Sequence, residues 1–346
     1  MLPTNRDQTI DLLRFLGLSL IILAHISPPT WLFQLRNFDV PLMVLVSGIT
    51  YSIQPKKQQY FNYVAKRVKR LLYPAWTFLT IYFLCTFIFD LRFDRLTFVN
   101  IFHSYTFISG IGFVWIFRVF LITSLFAPLI DKFNIKLPCN NRYLIFLLCS
   151  FIAYEIALQF GWKEMLGERL YLYFNSLILS GIFYTLIFSL GTRLLSFSRL
   201  QITYLLSCAT TMFLGYALYY FNTTGRVQAT QNFKYPPQLY YLSYSLILGT
   251  LCYVLSPAAY KFIAPWRRFN TLVIFISRNT LWIYFYHIIF IKMRVAEYFP
   301  NLFISYIIVY AASLLCCFLQ LSIVFRLMPL IKGNATKNNL RFMFTG

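Results

Sequence analysis

The chain has 346 residues, 59% hydrophobic and only 12% charged, with a formal net charge of +21. Soluble domains carry about 25% charged residues, so this composition excludes an ordinary soluble domain and predicts a chain that crosses a membrane several times. The positive excess would point to nucleic acid in a soluble protein; in a membrane protein it points to cationic loops on the cytoplasmic side, and no nucleic-acid partner is expected.

Taken in chain order, apolar runs between polar breaks predict ten helices, near 11–27, 38–54, 71–89, 112–130, 142–160, 171–192, 201–221, 238–256, 270–290 and 302–325. Each approaches the ~20 residues that span a hydrocarbon core. The expected fold is therefore all-α and integral to the membrane, with about ten transmembrane helices. No polar stretch is long enough to form a separate soluble domain. A membrane domain is expected over 8–325 and a short basic cytoplasmic tail over 326–346. The first run lacks a small-residue cleavage site and reads as a retained helix. The stretch PKKQQYFNYVAKRVKRLLYP (55–74) reads as an interfacial helix feeding the third span. The seven cysteines have no metal-ligand spacing and read as small apolar packers, and no metal site is expected.

Loop charge sets the orientation. If the N-terminus is cytoplasmic, nineteen Lys and Arg residues, Arg6, Lys56 and Lys57 among them, fall on that side. Nine, Arg92 among them, fall on the other. Both termini are then cytoplasmic. Arg14, Arg118 and Arg278 remain, within or at the edges of the spans.

Charge inside a span is costly and marks candidate function. In DLLRFLGLSLIILAH (11–25), Arg14 and His25 are eleven residues apart, about 20° past three helical turns. Both leave one face, roughly 16 Å apart along the axis. Asp11 stands at i−3 to Arg14, close enough to pair with it. The bland alternative is an arginine that reaches to the interface with Asp11 and a histidine hydrogen-bonded and inert. A neutral imidazole can also take a proton from a hydroxyl and so activate it. His287, in SRNTLWIYFYHIIF (277–290), is the second catalytic candidate, against the alternative of a simple interhelical hydrogen bond. His103 is expected to be solvent-exposed.

Other constellations are cationic or small. Lys66, Arg67, Lys69 and Arg70 lie within one helical turn before a span. They can hold phosphates or anchor on anionic lipid. Ser47 and Gly48 permit close helix approach. Arg118 lies inside a span with Trp115 at i−3 and needs a partner or a cavity.

These segments, in this order, resemble the family-3 membrane acyltransferases, polytopic proteins that acylate sugars of surface polysaccharides. IDLLRFLGLSLIILAH resembles the family's first-helix signature, with Arg14 and His25 as its arginine and histidine. VPLMVLVSG resembles its apolar run into Ser-Gly. KRVKRLLYP resembles its basic motif, matched by Lys66, Arg67 and Arg70, with lysine where arginine is commoner. VWIFRVFLITSLFAPLI resembles its Trp-containing fourth span and LWIYFYHIIF its late Tyr-x-x-His region. The likeness runs from about 8 to 325 and is nearest to fucose-acetylase-like members.

The resemblance implies acyl transfer from acetyl-CoA to a sugar hydroxyl, on a glycan or lipid-linked glycan at the bacterial inner membrane, among membrane lipids. On that reading His25 is the general base, and Lys66, Arg67, Arg70 and Arg14 bind the donor. Ser47, Arg118 and Trp115 are candidates for the oxyanion or the channel. A polysaccharide flippase or a purely structural subunit would need neither acetyl-CoA nor His25.

Overall fold

The computed structural model describes residues 7–54, 59–91 and 93–345. Arg6, Lys56, Lys57 and Arg92 of the charge count, and the first residues of the 55–74 stretch, lie outside the described residues. In chain order the helices are α1 (Gln8–Ala24), α2 (Thr30–Leu35), α3 (Asp39–Ser52), α4 (Tyr60–Ile88), α5 (Phe98–Tyr105), α6 (Trp115–Lys136), α7 (Asn140–Leu158), α8 (Trp162–Phe174), α9 (Ser180–Leu194), α10 (Arg199–Thr224), α11 (Leu239–Ile263), α12 (Arg267–Arg278), α13 (Thr280–Lys292), α14 (Val295–Tyr298), α15 (Leu302–Leu327) and α16 (Asn334–Thr345). Among the described residues the only β pairing is a lone bridge between Lys234 and Pro237.

All ten predicted segments fall on helices. Among the described residues, seven helical stretches are long and apolar enough to cross a membrane, eight if the bent pair α12–α13 is one span. The two others are α1, with 17 residues, and α6, which carries Arg118, Asp131, Lys132 and Lys136. The protein is thus an all-helical, multi-span membrane protein.

Three segments depart from expectation. The basic stretch does not form a separate interfacial helix. From Tyr60 it is continuous with the third span in one 29-residue helix, α4, which runs through Pro74. The ninth segment breaks at Asn279 (φ −119°, ψ 22°), and α12 and α13 meet at 86°. The Asn279 side chain donates to the Phe275 carbonyl at 2.8 Å, the local competition that makes asparagine a poor helix interior. The sixth span extends over Trp162–Leu194 because a π turn, Asn175–Leu179, joins α8 to α9.

The chain divides into two compact units. The first comprises Met1–Leu13, Thr30–Lys57 and Ile122–Ala264; the second comprises Arg14–Pro29, Gln58–Leu121 and Pro265–Gly346. In the first unit α3 packs along α9. A Cβ added to Gly48 would run into the Phe188 carbonyl oxygen, and one added to Gly191 into that of Leu45. The two backbones touch, as small residues permit between membrane helices.

Near the start of α3 the same unit holds a buried polar cluster. Arg36 Nη1 donates to Asp39 Oδ2 at 2.6 Å, and Lys234 Nζ lies 3.6 Å from Asp39 Oδ1. Lys234 also donates to Asn37 Oδ1 at 3.4 Å, and Asn37 Nδ2 donates to Thr230 Oγ1 at 3.1 Å. Burial lowers the Lys234 ammonium pKa, against the raising effect of Asp39. Towards the C-terminal end of α9, Arg193 donates to Asn134 Oδ1 (2.9 Å), the Asn134 carbonyl (2.8 Å), Asn140 Oδ1 (3.1 Å) and the Leu137 carbonyl.

In the second unit α13 packs against α15 and α4. Phe78 of α4 stacks on Phe285 of α13 at 4.5 Å. Further along both helices, Tyr82 Oη donates to Asp94 Oδ2 at 2.5 Å and Lys292 Nζ to Asp94 Oδ1 at 2.8 Å. The two contacts climb together, so α4 and α13 run in the same direction.

Candidate functional site

The site assembles in the second unit, where α1 ends. The chain leaves α1 at Ala24 and turns through Ser27, whose φ is 55°, into Pro28 and Pro29. Proline cannot continue the helix bonding, so His25 sits in the terminal turn, half-buried. Its Nδ1 lies 3.1 Å from Nε2 of His287 on α13, 262 residues away. His287 is fully buried. The two histidines singled out as catalytic candidates are therefore one pair.

Hydrogen-bond partners fix the protons of that pair. His287 Nδ1 faces the Tyr284 carbonyl. A carbonyl only accepts, so His287 Nδ1 carries the proton and donates. With the ring neutral, His287 Nε2 accepts a hydrogen bond from His25 Nδ1–H. The remaining nitrogen of His25, Nε2, then bears the ring's lone pair. This is the tautomer a general base requires. The proton that His25 gains is also accommodated, because its Nδ1–H already points at an acceptor.

One loop braces the pair. Phe113 sets its ring edge-on to His25 at 4.9 Å and to His287 at 6.3 Å. The Phe113 carbonyl accepts from Tyr284 Oη at 2.6 Å. Tyr284 thus holds His287 through its backbone and Phe113 through its hydroxyl. Upstream, Arg118 Nη1 donates to the carbonyls of Phe107 (2.6 Å) and Ile108 (2.9 Å). Ser104 Oγ accepts from Ile111 N at 3.0 Å. Gly110 turns with φ 59° in a space where a Cβ would meet Ser104. Lys292 lies 5.5 Å from the Phe113 ring and ties it to Asp94.

The remaining sequence candidates are spread over both units. Arg14 is half-buried on α1, about 16 Å before His25 along the axis. Asp11 is buried and falls in the first unit. Lys66 and Arg70 are exposed on the first turns of α4, and Arg67 lies 5.7 Å from the Tyr63 ring. Ser47 belongs to the first unit, where its hydroxyl donates to the Met43 carbonyl at 2.9 Å. Arg118 is buried and bonded to the loop that carries Phe113, with Trp115, half-buried, one turn earlier. His103 is not the exposed loop residue expected. It is half-buried on α5, with Nδ1 3.0 Å from Ser109 Oγ. The seven cysteines are free thiols. Cys139 and Cys149 are exposed and only Cys317 is buried, so packing describes the last best.

Sequence reasoning met Tyr284 only as the tyrosine of the Tyr-x-x-His segment, without a role, and missed Phe113, Asp94 and Lys292 as parts of the site. Phenylalanine is so frequent in this chain that Phe113 did not stand out. Asp94 and Lys292 stand 198 residues apart and carried no local pattern.

The family model described as an acyltransferase domain matches residues 7–321. The chain belongs to the acyltransferase 3 family. No curated protein and no solved structure matches it. The match covers α1 to most of α15, so both histidines and the basic turns of α4 lie inside the acyltransferase domain.

Proposed function

We propose that this membrane acyltransferase moves an acetyl group from acetyl-CoA to a sugar hydroxyl of a surface polysaccharide or its lipid-linked precursor, at the bacterial inner membrane. The observation that carries this reading is the 3.1 Å His25–His287 bond, which leaves the lone pair on His25 Nε2. Nε2 takes the proton of the acceptor hydroxyl as its oxygen attacks the thioester carbonyl. The tetrahedral intermediate collapses, the C–S bond breaks, and the thiolate takes the proton back from Nε2. Donor, acceptor, acetyl ester and free thiol balance. His287 is a positioning residue, because it meets His25 and not the reacting atoms.

The donor enters, on this reading, beside α4. Lys66, Arg67 and Arg70 carry charge for its phosphates, and Arg14 lies along α1 on the face that ends at His25. Acyl transfer in one step is the simpler route; an acyl-histidine at His25 is its variant.

The test is acetyl transfer to glycan by the purified protein in lipid, read by the mass of the product. His25→Ala should abolish transfer while the protein remains in the membrane. Retained transfer removes His25 from the reaction. A flippase would give unmodified glycan with or without acetyl-CoA.

A further inference from the structure

Helix α16 is polar, yet it does not hang below the bundle. Its sequence is NATKNNLRFMFT. α15 ends at Leu327, and after Met328–Leu330 the chain reverses into α16, whose principal partner is α4. The far end of α16 is anchored well inside the unit. The Phe344 ring stacks on Trp282 of α13 at 6.1 Å and 14°. The Phe344 carbonyl accepts from Gln320 Nε2 at 2.7 Å, and Gln320 Oε1 in turn accepts from Tyr286 Oη. Gln320 lies about 10 Å back along α15 from its end, and Phe344 about 15 Å along α16 from its start. α16 therefore climbs back alongside the spans.

These contacts fix what α16 climbs beside. Phe285 is level with Phe78, and α4 and α13 run the same way. Trp282 is three residues earlier, so Phe344 sits near the level of Ala75. Arg341 and Lys337 are one and two turns below it, at the level of the turns that carry Lys66, Arg67 and Arg70. Lys337 is half-buried and Arg341 exposed. The carboxylates of this unit are Asp90, Asp94 and Glu297. All three lie beyond the other ends of α4 and α13, where Asp94 pairs with Lys292 and Glu297 with Arg294. Among the described residues of the unit, no acidic side chain stands at the level of these five cations. A concentration of cations with no acidic side chain of the unit beside them attracts anions.

We propose that α4 and α16 are two walls of a phosphate-binding vestibule, in which Lys337 and Arg341 act together with Lys66, Arg67 and Arg70 on a ligand carrying more than one phosphate. This extends the donor-binding reading above from one helix to two. The phosphates belong either to a soluble nucleotide-like ligand or to anionic lipid headgroups, and the chemistry of recognition is the same.

The experiment uses the full chain in discs of zwitterionic lipid, with adenosine 3′,5′-bisphosphate as probe, measured by calorimetry. The probe has phosphates but no acyl group, so its binding does not depend on acyl transfer. Lys337→Gln with Arg341→Gln should weaken binding about ten-fold or more, the loss of charge-assisted bonds. Phe344→Ala keeps both cations but frees the helix from Trp282, and should weaken binding comparably. Lys332→Gln, outside α16, should not. Repeating the titration in anionic lipid separates the sources. Affinity that survives there assigns a soluble ligand, and affinity lost there assigns headgroups on the same cations. Unchanged probe affinity in both α16 variants, with α4 intact, overturns the vestibule. Loss of acetyl transfer from the reading above, with α16-dependent probe binding retained, would remove the reaction and leave the vestibule standing.

Discussion

The two units bury polar side chains for different ends. In the first, Arg36 and Lys234 share Asp39, and Arg193 spends its guanidinium on four oxygens of the α6–α7 turn. Those cations are answered by the protein itself. In the second, the cations of α4 and α16 face no carboxylate of their unit at their own level, and the two histidines answer each other while leaving a lone pair on His25 Nε2. Burying an ion pair costs desolvation that its partner repays only with good geometry. A chain that satisfies a charge internally has spent it on structure. One that leaves a charge with no carboxylate at its level has kept it for a ligand.

That contrast predicts that variants of the second unit lose activity before stability, and variants of the first the reverse. The largest effect is expected from His25→Ala, at ~10³-fold or more in kcat, the scale on which a general base acts. A normal melting temperature should accompany it. Next comes His287. His287→Ala removes the acceptor of the His25 Nδ1 proton and should cost ~10²-fold in kcat with KM little changed. His287→Gln supplies a side-chain oxygen in its place and should recover part of the loss. Equal damage from both, or a change confined to KM, would show that His287 merely fills space.

In the first unit, Gly48→Ala drives a methyl group into the Phe188 carbonyl. It should cost about 2–3 kcal/mol, read as a lower melting temperature in detergent, with kcat per folded molecule retained. Abolished kcat in well-folded Gly48→Ala would erase the division of labour between the units.

The smallest effect is a pH slope. The buried Lys234 has its pKa lowered from its ordinary 10.5. Between the folded and unfolded values the unfolded chain binds more protons, so stability rises with pH through that window. The wild-type melting temperature should gain on that of Lys234→Met as pH climbs towards 10.5. A difference that is flat or falls with pH would mean that Asp39 holds the ammonium charged despite its burial.

Much of this protein was legible in its sequence. Composition and run length specified an all-helical, multi-span protein, because in a bilayer the backbone must satisfy its own hydrogen bonds. Helical period predicted Arg14 and His25 on one face, and motif order pointed to the family. These are local properties, carried by residues within a few turns of each other. The tertiary structure alone decided the rest. It joined His25 to His287 across 262 residues, made Tyr284 the residue that sets the tautomer, and folded a basic tail back beside α4. It also bent the ninth segment by 86° at Asn279, an angle that the polar Ser277–Thr280 stretch did not specify. An imidazole in an apolar run has the same sequence signature whether it packs, bonds or catalyses. What separates those roles is the atom facing each ring nitrogen, and that atom comes from another helix.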